Sequence, residues 1–376
     1  MREQFLMPPE LVPLNAANLC PSPAPVVDVL ASRTRETDSD PSPAVKQRQA
    51  EERERVRAAI AGWLRVSPAE IVLTRNTSEA NNLVSSGLDL RPGDEVVLFG
   101  DNHPSNHAAW REKARRGGFV VKIVEPVSPH PGAEHYVRAF VDVTGPRTRL
   151  WALTHVTNSV GDLLPVAELC RAARERGVLT LVDGAQALGV LDVDLSALQP
   201  DFYTGSGHKW PCGPRETGVL YVRADVLPRL SPSIVSLYAG AVGASRTLEA
   251  YGQRDEAAVA GFGEAVAFQR KVGMVAIEAR ARELARALAE GLRRLGGIRL
   301  WTVPTPDRSA AIVTFQPGGL DPGRLARALY ERDRIVCAAR TGADRPGIRF
   351  SPHFYNLHAE VDRVLAAVAH YVRTGV

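Results

Sequence analysis

Apolar segments that alternate with helical stretches between residues 70 and 223 constrain the fold more than any other feature of this sequence. Segments that are apolar on both faces, with helices between them, indicate a mainly parallel sheet covered by helices. We therefore predict an α/β fold with a seven-stranded, mainly parallel sheet in a large domain. The predicted strands are EIVLTR (70–75), EVVLFG (95–100), FVVKIVEP (119–126), RLWALTHV (149–156), VLTLVDGA (178–185), DFYTGSGH (201–208) and TGVLYVR (217–223), and the predicted helices lie near 78–88, 104–116 and 165–176.

The chain divides into three predicted regions. Residues 1–43 are rich in proline and polar residues and are expected to form an extended N-terminal arm. The large domain spans 44–250 and opens on an amphipathic helix at 44–64, where apolar residues recur among charges. A long helical region (254–296) then precedes short apolar segments and a final helix, which predicts a smaller α+β C-terminal domain over 251–376.

Composition excludes several classes of protein. Arginines are scattered along the chain although the net charge is +4, and a nucleic-acid-binding surface would need them clustered, so we expect no nucleic-acid partner. The four cysteines are widely spaced without a CxxC pair, which predicts neither a disulfide framework nor a metal site. The N-terminus lacks a signal-peptide pattern, and no apolar run approaches the roughly 18 residues needed to cross a bilayer. We expect a cytoplasmic protein without a membrane partner.

One lysine stands in an unusual context. Lys209 lies in SGHKW (206–210), at the predicted carboxyl end of a strand, where ligands gather in parallel sheets. Its small neighbours would let a planar cofactor approach the backbone, and a partly desolvated amine has a lowered pKa that favours imine formation. A solvated surface lysine is the ordinary alternative.

A carboxylate precedes this lysine at the end of another predicted strand. Asp183 closes the apolar run LVD, where burial is costly unless a charged group meets it. The protonated pyridine nitrogen of pyridoxal 5′-phosphate (PLP) is such a group. A helix cap or a metal ligand would explain the aspartate alone, but Asp183 and Lys209 together favour a PLP site.

Other predicted strand ends carry polar residues that suit the same cofactor. Thr77 and Ser78 stand at a helix start, where hydroxyls and free N–H groups can bind a phosphate, although a plain N-cap explains them equally well. His103 could stack on a flat ring or act only as a structural hydrogen-bonding group. Asn158 and Gln186 suit a phenolate oxygen, or are ordinary polar residues of loops.

The segment DGAQALGVLDVDLSALQPDFYTGSGHKWPCGPRETGVLYV (183–222) resembles the class V aminotransferase family of fold-type-I PLP enzymes. That family includes cysteine desulfurases and isopenicillin N epimerase-like proteins, and the likeness runs from about residue 12 to the end. The resemblance implies the PLP-dependent transferase fold type I, a small-molecule amino-acid substrate and a homodimer with shared active sites.

The resemblance also assigns roles by position. Lys209 matches the lysine that holds PLP as a Schiff base, Asp183 the partner of the pyridinium nitrogen, and His103 the ring that stacks on the cofactor; these are the predicted catalytic residues. The positions that match phosphate contacts are Thr77, Ser78, Ser206 and His208, and those that match contacts to the ring oxygen are Asn158 and Gln186.

Further positions match contacts to the substrate and to the partner subunit. Arg349 in GIRFSPHF matches the arginine that binds the substrate carboxylate, a task that its planar fork suits. Gln253, in the loop 252–255, stands where the family usually has a threonine that contacts the partner subunit's phosphate site. The candidates for recognition of the substrate side chain are Asn15, Asn18, Tyr238 and Arg340.

A second departure from the family bears on the reaction. Desulfurases carry a nucleophilic cysteine just before the substrate-binding arginine, but here the loop RTGADRPG (340–347) has none. Cys337 lies upstream in an apolar run and is predicted to be a core residue. We therefore favour β-elimination from an S-substituted cysteine, a C–S lyase reaction in which Lys209 removes the α-proton.

Other activities remain open. An aminotransferase, an amino-acid epimerase and a decarboxylating deaminase would use the same residues with a different fate for the substrate carbanion. A binding or regulatory protein is the alternative from another class. Such proteins usually lose the lysine or the aspartate, and this chain keeps both.

Overall fold

A computed structural model describes residues 1–342 and 344–376. In chain order, its α-helices are α1 (Ala24–Ser39), α2 (Pro43–Leu64), α3 (Thr77–Gly87), α4 (Pro104–Gly117), α5 (Ala133–Asp142), α6 (Val166–Arg174), α7 (Leu195–Leu198), α8 (Ser245–Leu248), α9 (Glu256–Val272), α10 (Met274–Arg293), α11 (Pro322–Asp333) and α12 (His358–Thr374). Its strands are β1 (Val12–Pro13), β2 (Ile71–Thr74), β3 (Glu95–Phe99), β4 (Val120–Val124), β5 (Thr148–Thr154), β6 (Leu179–Asp183), β7 (Phe202–Ser206), β8 (Gly218–Val222), β9 (Arg299–Leu300), β10 (Val313–Gln316), β11 (Ile335–Val336), β12 (Ala338–Arg340) and β13 (Gly347–Phe350).

The large sheet has the strand order β2-β8-β7-β6-β5-β3-β4. Its neighbours pair in parallel except for β8, which is antiparallel to both β2 and β7. β8 reverses direction because the segment between β7 and β8 is a short loop, whereas a parallel connection needs a long crossover. The predicted α/β fold with a mainly parallel seven-stranded sheet is confirmed.

Burial on both faces explains why these segments form a central sheet. On β3, Val96 and Leu98 join the core on one face, while Val97 and Phe99 join the core on the other. Successive side chains of a strand point to opposite faces, so a strand covered on both sides must be apolar at every position. The continuous apolar runs of the sequence follow from this requirement.

The N-terminal region corrects one prediction. Residues 1–43 do not form an extended arm, because residues 24–39 fold into helix α1, which packs against α9. Two of the prolines in this region, Pro23 and Pro25, stand at the helix start, where proline is tolerated since those N–H groups lack intrahelical partners. Ahead of this helix, β1 pairs in parallel with β11 near the C-terminus.

The C-terminal part contains a second, smaller sheet of the order β12-β13-β10-β9, in which all pairs are antiparallel. Helices α10, α11 and α12 contribute to a separate apolar core beside it. The predicted helical region 254–296 is two helices, divided at Gly273, whose φ of 92° suits glycine. Helix α9 packs against α1 and α2, and the domain limits at residues 43 and 250 stay predictions.

None of the helices in the described part of the chain is both long enough and apolar enough to cross a membrane.

A buried ion pair joins three segments beneath the edge of the large sheet. The guanidinium of Arg57 on α2 is fully buried and forms hydrogen bonds to both carboxylate oxygens of Glu249. The same carboxylate accepts from the backbone N–H of Leu73 on β2 (2.6 Å) and pairs with Arg254 (3.0 Å). Loss of Glu249 would leave the buried guanidinium of Arg57 with Glu54 as its remaining carboxylate partner, and would leave the N–H of Leu73 without its acceptor.

We expect Glu249→Ala to lower the free energy of unfolding by about 3–5 kcal/mol, the usual cost of breaking a buried pair. The measurement is urea unfolding followed by circular dichroism. Glu112→Ala is the matched control, because Glu112 pairs with Arg115 and Arg116 on an exposed helix surface, where ion pairs contribute little. Equal urea midpoints for the two variants would contradict the assigned role of Glu249.

Candidate active site

The predicted site residues follow the carboxyl ends of the parallel strands. β6 ends at Asp183, β7 at Ser206 shortly before Lys209, and β5 shortly before Asn158. β3 and β2 are followed by the starts of helices α4 and α3. Because carboxyl ends of parallel strands share one edge of the sheet, these segments surround a common space, as the sequence predicted.

Asp183 is held in one orientation by hydrogen bonds. Its Oδ2 accepts from Asn81 Nδ2 (3.0 Å) and its Oδ1 from the backbone N–H of Ala185 (3.1 Å). The amide oxygen of Asn81 in turn accepts from the hydroxyl of Thr204 (3.0 Å). Asn81 and Thr204 were missed by the sequence analysis. The available signal was that Asn81 lies one helical turn after Thr77.

Lys209 is partly buried, and desolvation lowers the pKa of its amine. The carboxylate of Asp183 opposes the shift, and the guanidinium of Arg349 adds to it. The two residues that define the predicted site therefore interact electrostatically. A buried amine whose pKa is lowered is more often neutral and nucleophilic.

His103 is the N-cap of helix α4. Its Nδ1 accepts a hydrogen bond from the backbone N–H of Ser105 (3.2 Å), which fixes the ring and leaves the proton on Nε2. Burial lowers the pKa of His103, and the charge of Lys209 lowers it further while that of Asp183 raises it. A neutral aromatic ring near both groups suits stacking on a planar cofactor.

Two of the residues predicted to contact the phosphate, Thr77 and Ser206, meet at the start of helix α3. The hydroxyl of Ser206 accepts from the backbone N–H of Thr77 (3.0 Å) and lies 2.8 Å from the Thr77 hydroxyl. Burial lowers the pKa of His208 to about 4, and its buried Nδ1 has no hydrogen-bond partner among the described residues. Ser78 lines an outer cleft with Ser233 and Ile234.

Gln186 is anchored more firmly than the sequence suggested. Its Nε2 donates to the carbonyl of Ala17 (2.9 Å), and its Oε1 accepts from Trp210 Nε1 (2.8 Å). One N–H of the amide remains for a ligand. The side chain therefore joins the N-terminal segment to the loop that carries Lys209.

Arg349 on β13 is oriented by two neighbours. Its Nη1 donates to the carbonyl of Asn158 (2.7 Å) and its Nη2 to Oδ1 of Asn15 (3.2 Å), while its Nε has no hydrogen-bond partner among the described residues. Burial lowers the pKa of Arg349 to about 10, and the positive charge of Arg340 contributes. A buried guanidinium with a free donor is suited to bind a carboxylate.

A buried ion network holds the loop between Arg340 and Arg349. Arg345 pairs with Asp101 (2.9 Å) and, at 3.7 Å, with Asp162. Ser159 also donates to Asp101. Burial raises the pKa of Asp101 and raises that of Asp162 to about 7. These residues were missed because their partners lie far apart in sequence.

Three predicted residues lie apart from this cluster. Tyr238 and Gln253 line one cleft, with Lys46, Arg53 and other residues of the surface. Among the described residues that line this cleft, none belongs to the group around Lys209. Asn18 is exposed, and its backbone closes a turn with Asn15. The structure therefore brings the cofactor residues together but not these three.

The arrangement fits PLP. Asp183 offers a fixed carboxylate for the pyridine nitrogen, Lys209 an amine for the aldehyde, and the region of Thr77 and Ser206 hydroxyl and amide donors for the phosphate. The buried Nδ1 of His208 has no other partner in the part of the chain that the structure describes.

Sequence comparisons agree with this geometry. The model of the family described as "Aminotransferase class-V" matches residues 17–364. An isopenicillin N epimerase from Amycolatopsis lactamdurans is 35% identical over 98% of this chain and 96% of its own length. A cysteine desulfurase from Haloferax volcanii is 30% identical over 80% of this chain and 74% of its own length.

Solved structures show the same relationship. A mutant of C-DES with glycine covalently linked to the PLP cofactor has a TM-score of 0.91 at 26% identity and covers 98% of this chain and 99% of that one. The cystine C–S lyase C-DES in complex with its reaction product, cysteine persulfide, has a TM-score of 0.88 at 26% identity, with coverages of 95% and 96%. The chain is thus a PLP-dependent enzyme, and it belongs to the class V aminotransferase family.

Proposed function

We propose that this enzyme is a C–S lyase that cleaves the Cβ–S bond of an S-substituted cysteine. The observation that carries the proposal is the loop before Arg349, which lacks the cysteine of desulfurases and is instead fastened by Arg345 to Asp101 and Asp162. The similarity to a cystine C–S lyase supports the same reaction type.

The cysteine nearest to this loop in sequence is unsuited to accept sulfur. Cys337 is partly buried and packs against the core of the small domain. Burial raises the pKa of Cys337 to about 12, so its thiol stays protonated, and the thiolate is the nucleophilic form. A desulfurase that stores sulfur on this residue is therefore disfavoured.

The site residues can carry the elimination. Bound PLP supplies an electron sink for the electrons released at the substrate Cα. Arg349 and Asn15 hold the α-carboxylate, which fixes the position of Cα. Lys209 Nζ takes the proton from Cα, and the sulfur leaves Cβ with the bonding electrons. With one water molecule, the products are a thiol, pyruvate and ammonium.

A second cation defines the proposed class of substrate. Arg340 is close enough to Arg349 for its positive charge to lower the pKa of that residue, and its buried Nε has no hydrogen-bond partner within residues 1–342 and 344–376. A single guanidinium group is enough to bind the α-carboxylate of the substrate, so the second one is available for another anionic group. We therefore assign to Arg340 the binding of a carboxylate on the sulfur substituent.

We also propose that the enzyme is a homodimer. Residues 233–238 expose apolar side chains, among which Leu237 is fully exposed. Tyr238 and Gln253 share a cleft beside this segment, while Ser78 shares another cleft with Ile234. A second copy packed here would cover the apolar segment and bring Gln253 towards the partner's phosphate site.

Epimerisation is the second candidate, because the chain is 35% identical to an isopenicillin N epimerase. That reaction would also begin with proton removal at Cα, but the side chain would remain. Solvent deuterium would then enter Cα of the recovered amino acid without release of thiol.

We expect the enzyme to release thiol and pyruvate in equal amounts from S-carboxymethyl-cysteine. From cystine it should release cysteine persulfide and pyruvate in equal amounts, as the cystine C–S lyase forms the persulfide. Lys209→Ala should lower the rate by about 10²–10⁴-fold, because the variant lacks the base at Cα. Borohydride reduction of the wild-type enzyme should attach the cofactor to the peptide that contains Lys209. Deuterium incorporation without thiol release across a panel of S-substituted cysteines would sink the lyase proposal.

We expect Arg340→Gln to lower kcat/KM for S-carboxymethyl-cysteine by about 10–200-fold, the range for losing one pocket contact. The loss for S-ethyl-cysteine should be much smaller, because that substituent carries no charge. Arg340→Lys is the matched control, since it keeps the charge and should recover part of the activity. Equal losses for both substrates would assign Arg340 a structural role.

We expect Leu237→Glu to shift the protein from dimer to monomer in sedimentation velocity, because a charge would be buried at the interface. Val275→Glu is the control, since Val275 is exposed on α10 outside the apolar segment. A wild-type protein that sediments as a monomer at micromolar concentration contradicts the dimer.

A further inference from the structure

Three buried side chains with metal-binding atoms lie close together beside the backbone of the loop that carries Lys209. The Sγ atoms of Cys20 and Cys212 and a ring nitrogen of His353 lie within 4.8 Å of one another. All three residues are buried, and they come from the N-terminal segment, the loop after β7 and the segment after β13. None of them has a part in the elimination reaction described above.

The hydrogen bonds of His353 leave one nitrogen free to bind a cation. Its Nε2 lies 2.7 Å from the carbonyl of Trp210, which can only accept, so the proton is on Nε2. Nδ1 then carries a lone pair, and this buried atom has no hydrogen-bond partner among the described residues. Histidines that bind metals usually donate their other N–H to a carbonyl or carboxylate in this way.

The same three residues hold the backbone around the cofactor lysine. The N–H of Cys20 donates to the carbonyl of His208 (3.0 Å), and the N–H of Cys212 donates to the carbonyl of Lys209 (2.9 Å). Nε2 of His353 contacts the carbonyl of Trp210, the residue after Lys209. Each candidate ligand therefore contacts one of three consecutive carbonyl groups.

Cys212 has a backbone conformation that is rare for its residue type. Its φ is 60°, in the left-handed region that favours glycine. Strained conformations of this kind persist where the surroundings impose them and cluster at functional sites. The thiol of Cys212 is thereby turned towards Cys20 and His353 although a glycine would fit the backbone better.

The donor set selects the cation. Two thiolates and one neutral imidazole are ligands typical of Zn²⁺, and their two negative charges would cancel those of the ion. A neutral complex suits a site inside the core, because an uncompensated buried charge is costly. The hydroxyl of Tyr355 lies 3.6 Å from Cys20 Sγ.

We propose that Cys20, Cys212 and His353 bind one Zn²⁺ ion that fastens the N-terminal segment and the segment after β13 to the loop of Lys209. Binding releases two protons, one from each thiol, and changes no oxidation state. The ion would act structurally, by holding the lysine's backbone in place. It would take no part in the chemistry at the substrate.

The test uses reduced holoenzyme from which metal has been removed with a chelator. Titration with Co²⁺ should end at about one ion per chain and produce the visible ligand-field absorption of a tetrahedral thiolate site. These bands lie at longer wavelengths than the absorption of the cofactor. Zn²⁺ should abolish them by displacement and should raise the thermal midpoint of the holoenzyme, because a ligand of the folded state stabilises it.

Variants locate the ion. Cys20→Ser and Cys212→Ser should each lose the cobalt absorption. Cys170→Ser is the matched control, since Cys170 is another buried core cysteine outside the cluster, and it should keep the absorption. Loss of the signal in the control as well would overturn the assignment.

A measurement on the wild-type chain tests the proposal even if the cysteine variants fail to fold. Native mass spectrometry of the holoenzyme should show one additional Zn²⁺ that the chelator removes. A reduced wild-type chain that takes up neither Co²⁺ nor Zn²⁺ would overturn the proposal. The proposal would also be overturned if protein purified without reductant contains a disulfide between Cys20 and Cys212 and binds no Zn²⁺ after that disulfide is reduced.

Discussion

The site depends on a carboxylate buried at the end of a central strand. Asp183 pairs with Thr204 in the register of β6 and β7, so the backbone places it at the edge of the sheet where Lys209 follows. A buried carboxylate needs compensation, and neutral hydrogen bonds from Asn81 and Ala185 supply only part of it. We propose that the cationic ring nitrogen of PLP supplies the rest.

Positive charge accumulates on the opposite side of the site. Arg349 is buried, and the charge of Arg340 helps to lower its pKa to about 10, which means that the protein disfavours two adjacent guanidinium groups. The proposed anionic substrate would relieve this repulsion when it binds. The carboxylate of Asp101, which pairs with Arg345, offsets part of the positive charge at Arg340. Binding energy for carboxylates is therefore prepared before the substrate arrives.

The sequence predicted the parts of this structure that depend on local pattern. Strand periodicity and the polar residues at strand ends identified the sheet and the edge where Asp183 and Lys209 lie. Helix α1 was missed because its polar sequence gives little amphipathic signal, and its packing partner α9 lies more than 200 residues away. Asn81 was missed for a related reason, since its role exists only once Thr204 and Asp183 have been brought beside it.

The N-terminal segment completes the site through contacts that are distant in sequence. Val12 pairs with Ile335, Asn15 contacts Arg349, Ala17 accepts from Gln186, and Cys20 donates to the backbone before Lys209. Each contact that closes such a long loop lowers the conformational entropy of the chain. That loss is offset only when several of these contacts form together. The same N-terminal segment therefore positions both the guanidinium of Arg349 and the backbone of Lys209, so the proposed substrate and cofactor sites share one structural requirement.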